Sequence, residues 1–452
     1  MAGPAAQGRL CRVSLLLRGI FWFGLYVALT LLPLAVALWE RPWEAPRPVL
    51  VEVSVAVGLL ALPLMVFQFA LVTRLAASSR PFGSDALIQF HARMGVVALA
   101  AVLVHPLLLA GHGVGIAAWN PFGGPWLLQS GAIALWAAVA ISVTSIFRRP
   151  LRLGYEAWQL LHLVFAIVLV AAMAAHILAV RGYSGQPLMY GLVLAYSGVA
   201  VLLLLRYRVV RPLLLWRRPW TLVENRDVGG STRLLRLHPV GHGGFAFEPG
   251  QFAWLASGTS PLWSEQHPIS MASAAEGEGD TLEFGIKALG DWSSQVVPAL
   301  QPGARLWVDG PFGAFTPERK PAQGYVLIAG GIGISPMRSI LKTLREREDA
   351  RPVLLFYAAW DRSRMAFIDE LEALQAQLNF VIIPVLESPP AGWPGERGYV
   401  TAEVLRRHLP RQYRRFQFFV CGPVPMMDAL EKILVELGVP AAAVQTERFD
   451  MV

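Results

Sequence analysis

The sequence predicts a multi-domain membrane protein: a six-helix transmembrane bundle, then an antiparallel β-barrel, then a parallel α/β sheet. Three observations predict it. Mean hydropathy is +0.47 and 55% of the 452 residues are hydrophobic, which is the balance of a chain that meets lipid. The apolar bias is confined to the first half, and the four lysines (Lys287, Lys320, Lys342 and Lys432) all lie in the second. After Arg217-Arg218-Pro219 long apolar runs give way to short alternating segments separated by glycine turns. The expected division is 1–216, 217–319 and 320–452.

Six apolar runs are long enough to cross a bilayer core of about 30 Å, near 17–38, 50–72, 88–110, 126–147, 157–180 and 188–207. Arginines flank them unevenly. Arg9, Arg12, Arg18, Arg74, Arg80, Arg148, Arg149, Arg152, Arg206, Arg208, Arg211, Arg217 and Arg218 fall on one side, against Arg41, Arg47 and Arg181 on the other. The positive-inside rule then predicts that both termini are cytoplasmic. This distribution accounts for the net charge of +8 without nucleic acid as a partner. The first run, with arginines before it and Ala35-Val36-Ala37 after it, imitates a signal peptide, but it is long for one and is expected to stay. Cys11 and Cys421 are the only cysteines and are far apart, so no disulfide framework is expected.

Four histidines organise the membrane half. His91 and His105 lie on the third run, His162 and His176 on the fifth, and both intervals are fourteen residues. At about 100° and 1.5 Å per residue, fourteen residues return a helix to within about 40° of the same face, about 21 Å further along. Each helix therefore presents one stripe with two imidazoles, and two such helices facing each other offer two levels of paired ligands. Ligands that far apart on one helix cannot share one tetrahedral zinc, but each level suits a six-coordinate iron porphyrin. A lone intramembrane histidine is as readily a helix contact; four at equal intervals point to function. With cytoplasmic termini, His91 and His162 form the inner level and His105 and His176 the outer. His112, in a loop without charge, lies where an external acceptor would approach.

In the soluble half, LLRLHPV, FAWLASG, TLEFGIKA and ARLWVDG read as barrel strands, with Pro249-Gly250-Gln251-Phe252 turning into one and His267-Pro268-Ile269-Ser270 leading out of another. Lys287 followed by Gly290-Asp291-Trp292-Ser293 supplies a cation, a glycine for close approach and a helix start with a hydroxyl, all suited to a diphosphate. From Gly324 strands and helices alternate: GYVLIAGG, a helix after Pro336, PVLLFYAAW, a helix from Met365, FVIIPVLE, a helix from Thr401, FQFFVCGP and a helix from Met426. Gly330-Gly331-Ile332-Gly333-Ile334-Ser335-Pro336 ends a strand and opens a helix, where backbone amides cradle a nucleotide phosphate. Cys421-Gly422-Pro423 ends a later strand on the same carboxyl edge, placing a small polarisable side chain where a nicotinamide would lie. Arg362 and Arg364 are candidates for a ribose 2′-phosphate, which favours NADPH over NADH.

Together these motifs resemble the ferric reductase and NADPH oxidase superfamily over nearly the whole chain. The paired histidine spans resemble its haem domain. HPISMAS, IKALGDWS and VDGPFGAF resemble its flavin domain, and AGGIGISPMRSIL and VCGPVPMM its nicotinamide domain, the last two domains forming a ferredoxin-NADP reductase-like module. The resemblance implies that His91, His105, His162 and His176 ligate two b-type haems. It implies FAD contacts from His267, Pro268, Ile269, Ser270, Lys287 and Ser293, and an NAD(P)H cleft lined by Gly331, Gly333, Pro336 and Cys421. It implies electron transfer from NAD(P)H through FAD and haem to an external acceptor, oxygen or a ferric complex, with no obligatory protein activator. Two departures stand out. Family oxidases end in an aromatic residue over the flavin, whereas Phe449 is followed here by Asp450-Met451-Val452; and the position four after His105 is Leu109, where superoxide-forming members carry histidine.

Overall fold

The computed structural model describes residues 4–40, 47–73, 82–111, 119–258, 260–261, 265–276 and 281–448, with the side chains of 4–16, 84 and 85 outside the description. His112, Phe449, Arg41, Arg74 and Arg80, singled out above, lie outside the described residues. The chain divides into two compact units, one of residues 17–211 and one whose larger part is 212–452.

The first unit is helical. Its elements are α1 (Pro4–Trp39), α2 (Val49–Val72), α3 (Ser84–Leu109), α4 (Trp126–Ile146), α5 (Tyr155–Val180) and α6 (Pro187–Leu205). Among the described residues, six helices are long and apolar enough to span a membrane, and this is a multi-pass membrane protein. Because lipid is no less apolar than leucine, hydrophobicity does not hold such helices together, and close packing must do so. Small residues carry it here: Ala98, Ala132, Ala137 and Ala138 are buried in the bundle with Leu62, Val66 and Val193. The helices pack most closely as two hairpins, α2 with α3 and α4 with α5. At one end Glu40 accepts hydrogen bonds from the amides of Leu188 (3.0 Å) and Met189 (2.9 Å) in the first turn of α6, where a helix has amides to spare.

The second unit holds two six-stranded sheets. The first comprises β1 (Trp220–Asp227), β2 (Thr232–Pro239), β3 (Phe252–Ser257), β4 (Gln266–Ser270), β5 (Leu282–Lys287) and β6 (Arg305–Phe312) in the order β4-β3-β6-β1-β2-β5, antiparallel throughout. A bridge from Met271 to Phe284 joins its two ends into a barrel. The second comprises β7 (Tyr325–Gly330), β8 (Val353–Ala359), β9 (Phe380–Leu386), β10 (Glu396–Arg397), β11 (Gln417–Cys421) and β12 (Val444–Glu447), in the parallel order β10-β9-β8-β7-β11-β12. Its principal helices are α7 (Ile334–Glu346), α8 (Ile368–Leu374), α9 (Ala402–His408) and α10 (Val424–Glu436).

Several sequence-based boundaries shift, each for a physical reason. His267-Pro268-Ile269-Ser270 does not follow a strand but is most of β4; Pro268 is tolerated there because β4 lies at the sheet's edge and one missing donor is cheap. The helix expected after Pro336 begins at Ile334, and the one expected from Met426 at Val424, since a proline in a first turn lacks only an amide that would have no helical partner. The helix expected from Met365 begins at Ile368, after Phe367 takes a φ of 61°. Strand β1 is polar on one side and lacks a clean alternation, and β10 and β12 are too short to announce themselves.

A buried charge network ties the barrel to the α/β sheet. Arg338 on α7, 1% exposed, bonds Glu283 of β5 at 2.6 Å, the Ala272 carbonyl at 2.6 Å and Glu370 of α8 at 2.8 Å, with Phe367 against its guanidinium. Lys342 adds a second cation 2.9 Å from Glu283. Burial raises the Glu283 pKa, but Arg338 and Lys342 outweigh it and hold the carboxyl at about 2. Its folded value lies below the ordinary 4.5, so its contribution of roughly 3 kcal/mol is present above that pH and fades as pH falls towards 2. Replacing Arg338 with Met should remove one of three cations around Glu283, leaving Lys342 and Arg236, and unpair Glu370, at a cost of about 1.5–3 kcal/mol. Hydrogen exchange on the full chain at pH 7 would register this as faster exchange in β5 and α7, and unchanged protection there would refute it.

Candidate functional site

The four membrane histidines form two pairs. The imidazole centroids of His91 and His162 are 6.2 Å apart with planes at 52°, and those of His105 and His176 are 6.2 Å apart with planes at 75°. Imidazoles that share one metal ion through bonds of about 2.0–2.1 Å have centroids roughly 6 Å apart. Each pair is spaced to hold one ion between its rings. Among the described residues no group of three His, Cys, Asp or Glu is placed to hold a metal, which leaves each imidazole pair as a two-ligand set.

In three of the four rings Nδ1 has a hydrogen-bonding neighbour; His91 Nδ1 is buried without one. His105 Nδ1 lies 2.8 Å from the Ser54 carbonyl oxygen and 2.9 Å from the Ser54 hydroxyl, which donates to the His105 carbonyl at 2.7 Å. His176 Nδ1 lies 2.8 Å from the Leu127 carbonyl oxygen. A carbonyl only accepts, so Nδ1 carries the proton in both rings and Nε2 keeps its lone pair, as a metal ligand requires. Ser145 Oγ sits 3.2 Å from His162 Nδ1 and receives the Trp158 indole N–H, also at 3.2 Å. Behind the anchored pair the helices carry glycine. A Cβ on Gly58 would stand 3.0 Å from His105 Nδ1, and one on Gly131 would stand 2.8 Å from His176 Nδ1. These serines, glycines and carbonyls have no signature in sequence until the histidines are placed against them. Met173, between the levels, is buried in the core of the bundle.

The second candidate site lies in the other unit. In the parallel sheet β7 pairs with β8 on one side and β11 on the other, so the chain leaves β7 in one direction and returns in the opposite one. Ligands bind outside the carboxyl ends of strands at such a switch point. The two turns found there are Gly330-Gly331-Ile332-Gly333 and Cys421-Gly422-Pro423. They touch: a Cβ on Gly333 would stand 2.1 Å from the Cys421 carbonyl oxygen, and one on Gly422 3.1 Å from the Gly330 Cα. Gly331 takes a φ of 53° and brings its turn within 3.3 Å of the Lys287 Nζ, measured from an added Cβ. Pro336 is buried in the first turn of α7. Burial and the nearby Arg364 both lower the Lys287 pKa, so an anion at this turn would relieve two crowded cations. Arg362 instead pairs with Glu372 at 2.9 Å.

The barrel residues gather nearby in the same unit. His267 of β4 stacks on Trp292, centroids 4.0 Å apart and planes at 17°, while the Trp292 indole donates to Ser257 Oγ at 2.9 Å. Pro268 and Ser270 are buried and Ile269 half-buried in β4, opposite Trp254, Phe252 and Ala253 of β3. Ser293 Oγ accepts from the amides of Leu289 (3.0 Å) and Gly290 (2.9 Å), and Gly290 itself is open. Glu447, which the sequence reading passed over, is buried at the end of β12 in register with Cys421, its carboxylate 2.9 Å from where a Gly313 Cβ would stand.

Two family descriptions match this chain: the ferric reductase-like transmembrane component over residues 57–173, and the oxidoreductase NAD-binding domain over residues 327–432. Both matches support a likeness to the ferric reductase and NADPH oxidase superfamily. Residues 327–432 thus match an oxidoreductase domain that binds a nicotinamide dinucleotide. Curated relatives include the xylene/toluene monooxygenase electron transfer component of Pseudomonas putida, 34% identical over 45% of this chain and 58% of that one. NADH-cytochrome b5 reductase 1 of Debaryomyces hansenii is 36% identical over 32% and 52%. The chain thus spans between half and two thirds of the length of these relatives. Among solved structures, a cytochrome P450 reductase from Amycolatopsis overlaps 51% of this chain and 69% of its own at a TM-score of 0.46 and 25% identity.

The contact of Gly333 with Cys421 yields a test. Gly333 has an ordinary helical φ of −56°, so alanine there is opposed by space rather than by conformation: the Cys421–Gly422 peptide, with its carbonyl oxygen at 2.1 Å, must move. Gly333→Ala should raise the KM for the nicotinamide nucleotide at least about tenfold, or about 1.4 kcal/mol, while Gly243→Ala, whose Cβ would meet nothing within 4 Å, should leave it unchanged. Equal KM values would show that the turn tolerates the extra atom.

Proposed function

We propose that this chain carries electrons across a membrane, from cytoplasmic NAD(P)H through FAD and two b-type haems to an external acceptor, oxygen or a ferric complex. The observation that supports it most is the pair of imidazole levels, each with a ring separation of 6.2 Å and, at His105 and His176, with the tautomer of a ligand fixed by backbone carbonyls. His91 with His162 and His105 with His176 would each hold one haem. When bound, the flavin would accept a hydride's two electrons and the haems would take them one at a time.

In the soluble unit the chain's own groups position the nucleotides. Lys287, Arg364 and the amides of the Gly330–Gly333 turn would hold phosphates, and Arg364 suits a 2′-phosphate better than Arg362, whose guanidinium is taken by Glu372. The Gly422 turn would leave room for a nicotinamide beside Cys421. His267, Trp292 and Ser293 would line the flavin, with Ser293 fixing the amide-rich turn at Gly290. Arginines clustered on one side of the spans support cytoplasmic termini.

A second reading, a membrane-anchored flavoprotein reductase serving a protein partner, gains from the likeness to electron transfer components. Haem content separates the two. Purified wild type should carry about two haems per chain, with reduced-minus-oxidised bands of b type. His105→Leu and His176→Leu should each lower the count to about one and leave NAD(P)H-dependent reduction of a soluble dye intact. A wild-type count of zero would favour the anchored reductase.

A further inference from the structure

His105 and His176 each have a backbone carbonyl opposite Nδ1, and the polar group that acts on His91 is the backbone of Gln68, short of hydrogen-bond geometry. His162 differs from all three. Its Nδ1 lies 3.2 Å from a side-chain oxygen, Ser145 Oγ, and that oxygen is shared, since the Trp158 indole donates to it at 3.2 Å.

The turn between two helices brings the three side chains together. Ser145 stands in the last turn of α4 and Trp158 in the first turn of α5. Trp158 precedes His162 by four residues, so one face of α5 carries both rings. Their centroids are 5.5 Å apart with planes at 53°, and the Arg148 guanidinium lies 5.5 Å from the centroid of the indole. Indole, hydroxyl and imidazole form a triangle of two hydrogen-bond distances and one ring contact.

A hydroxyl oxygen has two lone pairs and an indole nitrogen only donates, so Trp158 takes one pair of Ser145 and leaves one. An imidazole that ligates through Nε2 carries its proton on Nδ1 and needs an acceptor there. The remaining pair of Ser145 is that acceptor. It is a weakened one, because bonds that share an atom polarise each other and an oxygen already accepting from one donor holds a second less strongly.

We propose that Ser145 and Trp158 are opposed positioning residues of His162: Ser145 accepts the Nδ1 proton and holds the ring in the tautomer of a ligand, while Trp158, through the same oxygen, limits how strongly it does so. This rests on the bis-imidazole haem reading above. Donation from Nδ1 enriches the ligating nitrogen and favours ferric iron. Loss of the Ser145 hydroxyl therefore raises the potential of that level, and loss of the indole N–H lowers it.

The test is a spectroelectrochemical titration of the full-length, haem-loaded chain, resolving two components. Ser145→Ala should raise one of them, the component that remains in His105→Leu, and Ser145→Thr, which keeps the hydroxyl, should leave it in place. Trp158→Phe should lower that same component but not when combined with Ser145→Ala, because the change in ring packing is common to both backgrounds and the shared oxygen is not. Thr144→Val, which removes a neighbouring hydroxyl bonded to the Ala140 carbonyl at 2.7 Å, should move neither component. If Ser145→Ala sheds one haem while Ser145→Thr keeps two, the anchor stands and Trp158→Phe must still lower the component in the Ser145→Thr chain. Equal haem loss in the Ala and Thr variants, a Trp158→Phe shift that persists without Ser145, no fall in Trp158→Phe, no rise in a Ser145→Ala chain that keeps both haems, or equal shifts of both components would overturn it. Wild type without b-type bands would sink the haem reading itself, an outcome distinct from any of these.

Discussion

An imidazole inside a bilayer has two nitrogens and no water to satisfy them, and this constraint arranges the membrane half. A carbonyl opposite Nδ1 fixes the proton and with it the lone pair on Nε2, so a hydrogen bond to Ser54 or Leu127 also selects which nitrogen faces the partner helix. The carbonyl is within reach only because the neighbouring helix comes close, which requires glycine one turn along: Gly58 after Ser54, Gly131 after Leu127. Imidazole tautomer, helix spacing and residue size are thus parts of a single requirement.

The soluble half solves the opposite problem. There water is available, yet Glu283 and Arg338 are buried, and what holds them is mutual neutralisation with Lys342 and Glu370. Because Glu283 is on the barrel and Arg338 on the first helix of the α/β sheet, the network fixes the turn at Gly331 against the end of β5, where Lys287 lies. A cation from one layer and backbone amides from the other meet at a single turn. Neither layer alone would concentrate so many donors.

The histidine intervals, the arginine asymmetry and the change of period near residue 220 made the architecture legible, because each reports a long-range constraint through residue type. The glycine turns at 330–333 and 422 were visible for the same reason. What stayed hidden depends on partners rather than types. A backbone carbonyl such as that of Leu127 has no identity in a sequence, and Gly58 is one of 41 glycines until His105 is placed beside it. Proline misled the reading at β4, where only the sheet order reveals that Pro268 sits on an edge. Phe449, whose neighbours would decide its role, lies outside the described residues.

The two hairpins that carry the histidines are built alike, and the way they differ is informative. His162 and His176 each follow their counterparts His91 and His105 by 71 residues, while Leu127 and Gly131 each follow Ser54 and Gly58 by 73. At the His105 level both hairpins therefore supply the same elements, a carbonyl and a glycine, and the two rings are held equivalently. At the other level the correspondence breaks. Ser145 follows Gly131 by fourteen residues, but the residue fourteen after Gly58 is Val72, and the polar group on that hairpin is Gln68, one turn earlier. The His105 level is therefore held through backbone carbonyls on both hairpins, whereas His162 meets a side chain, Ser145, which a single substitution can remove.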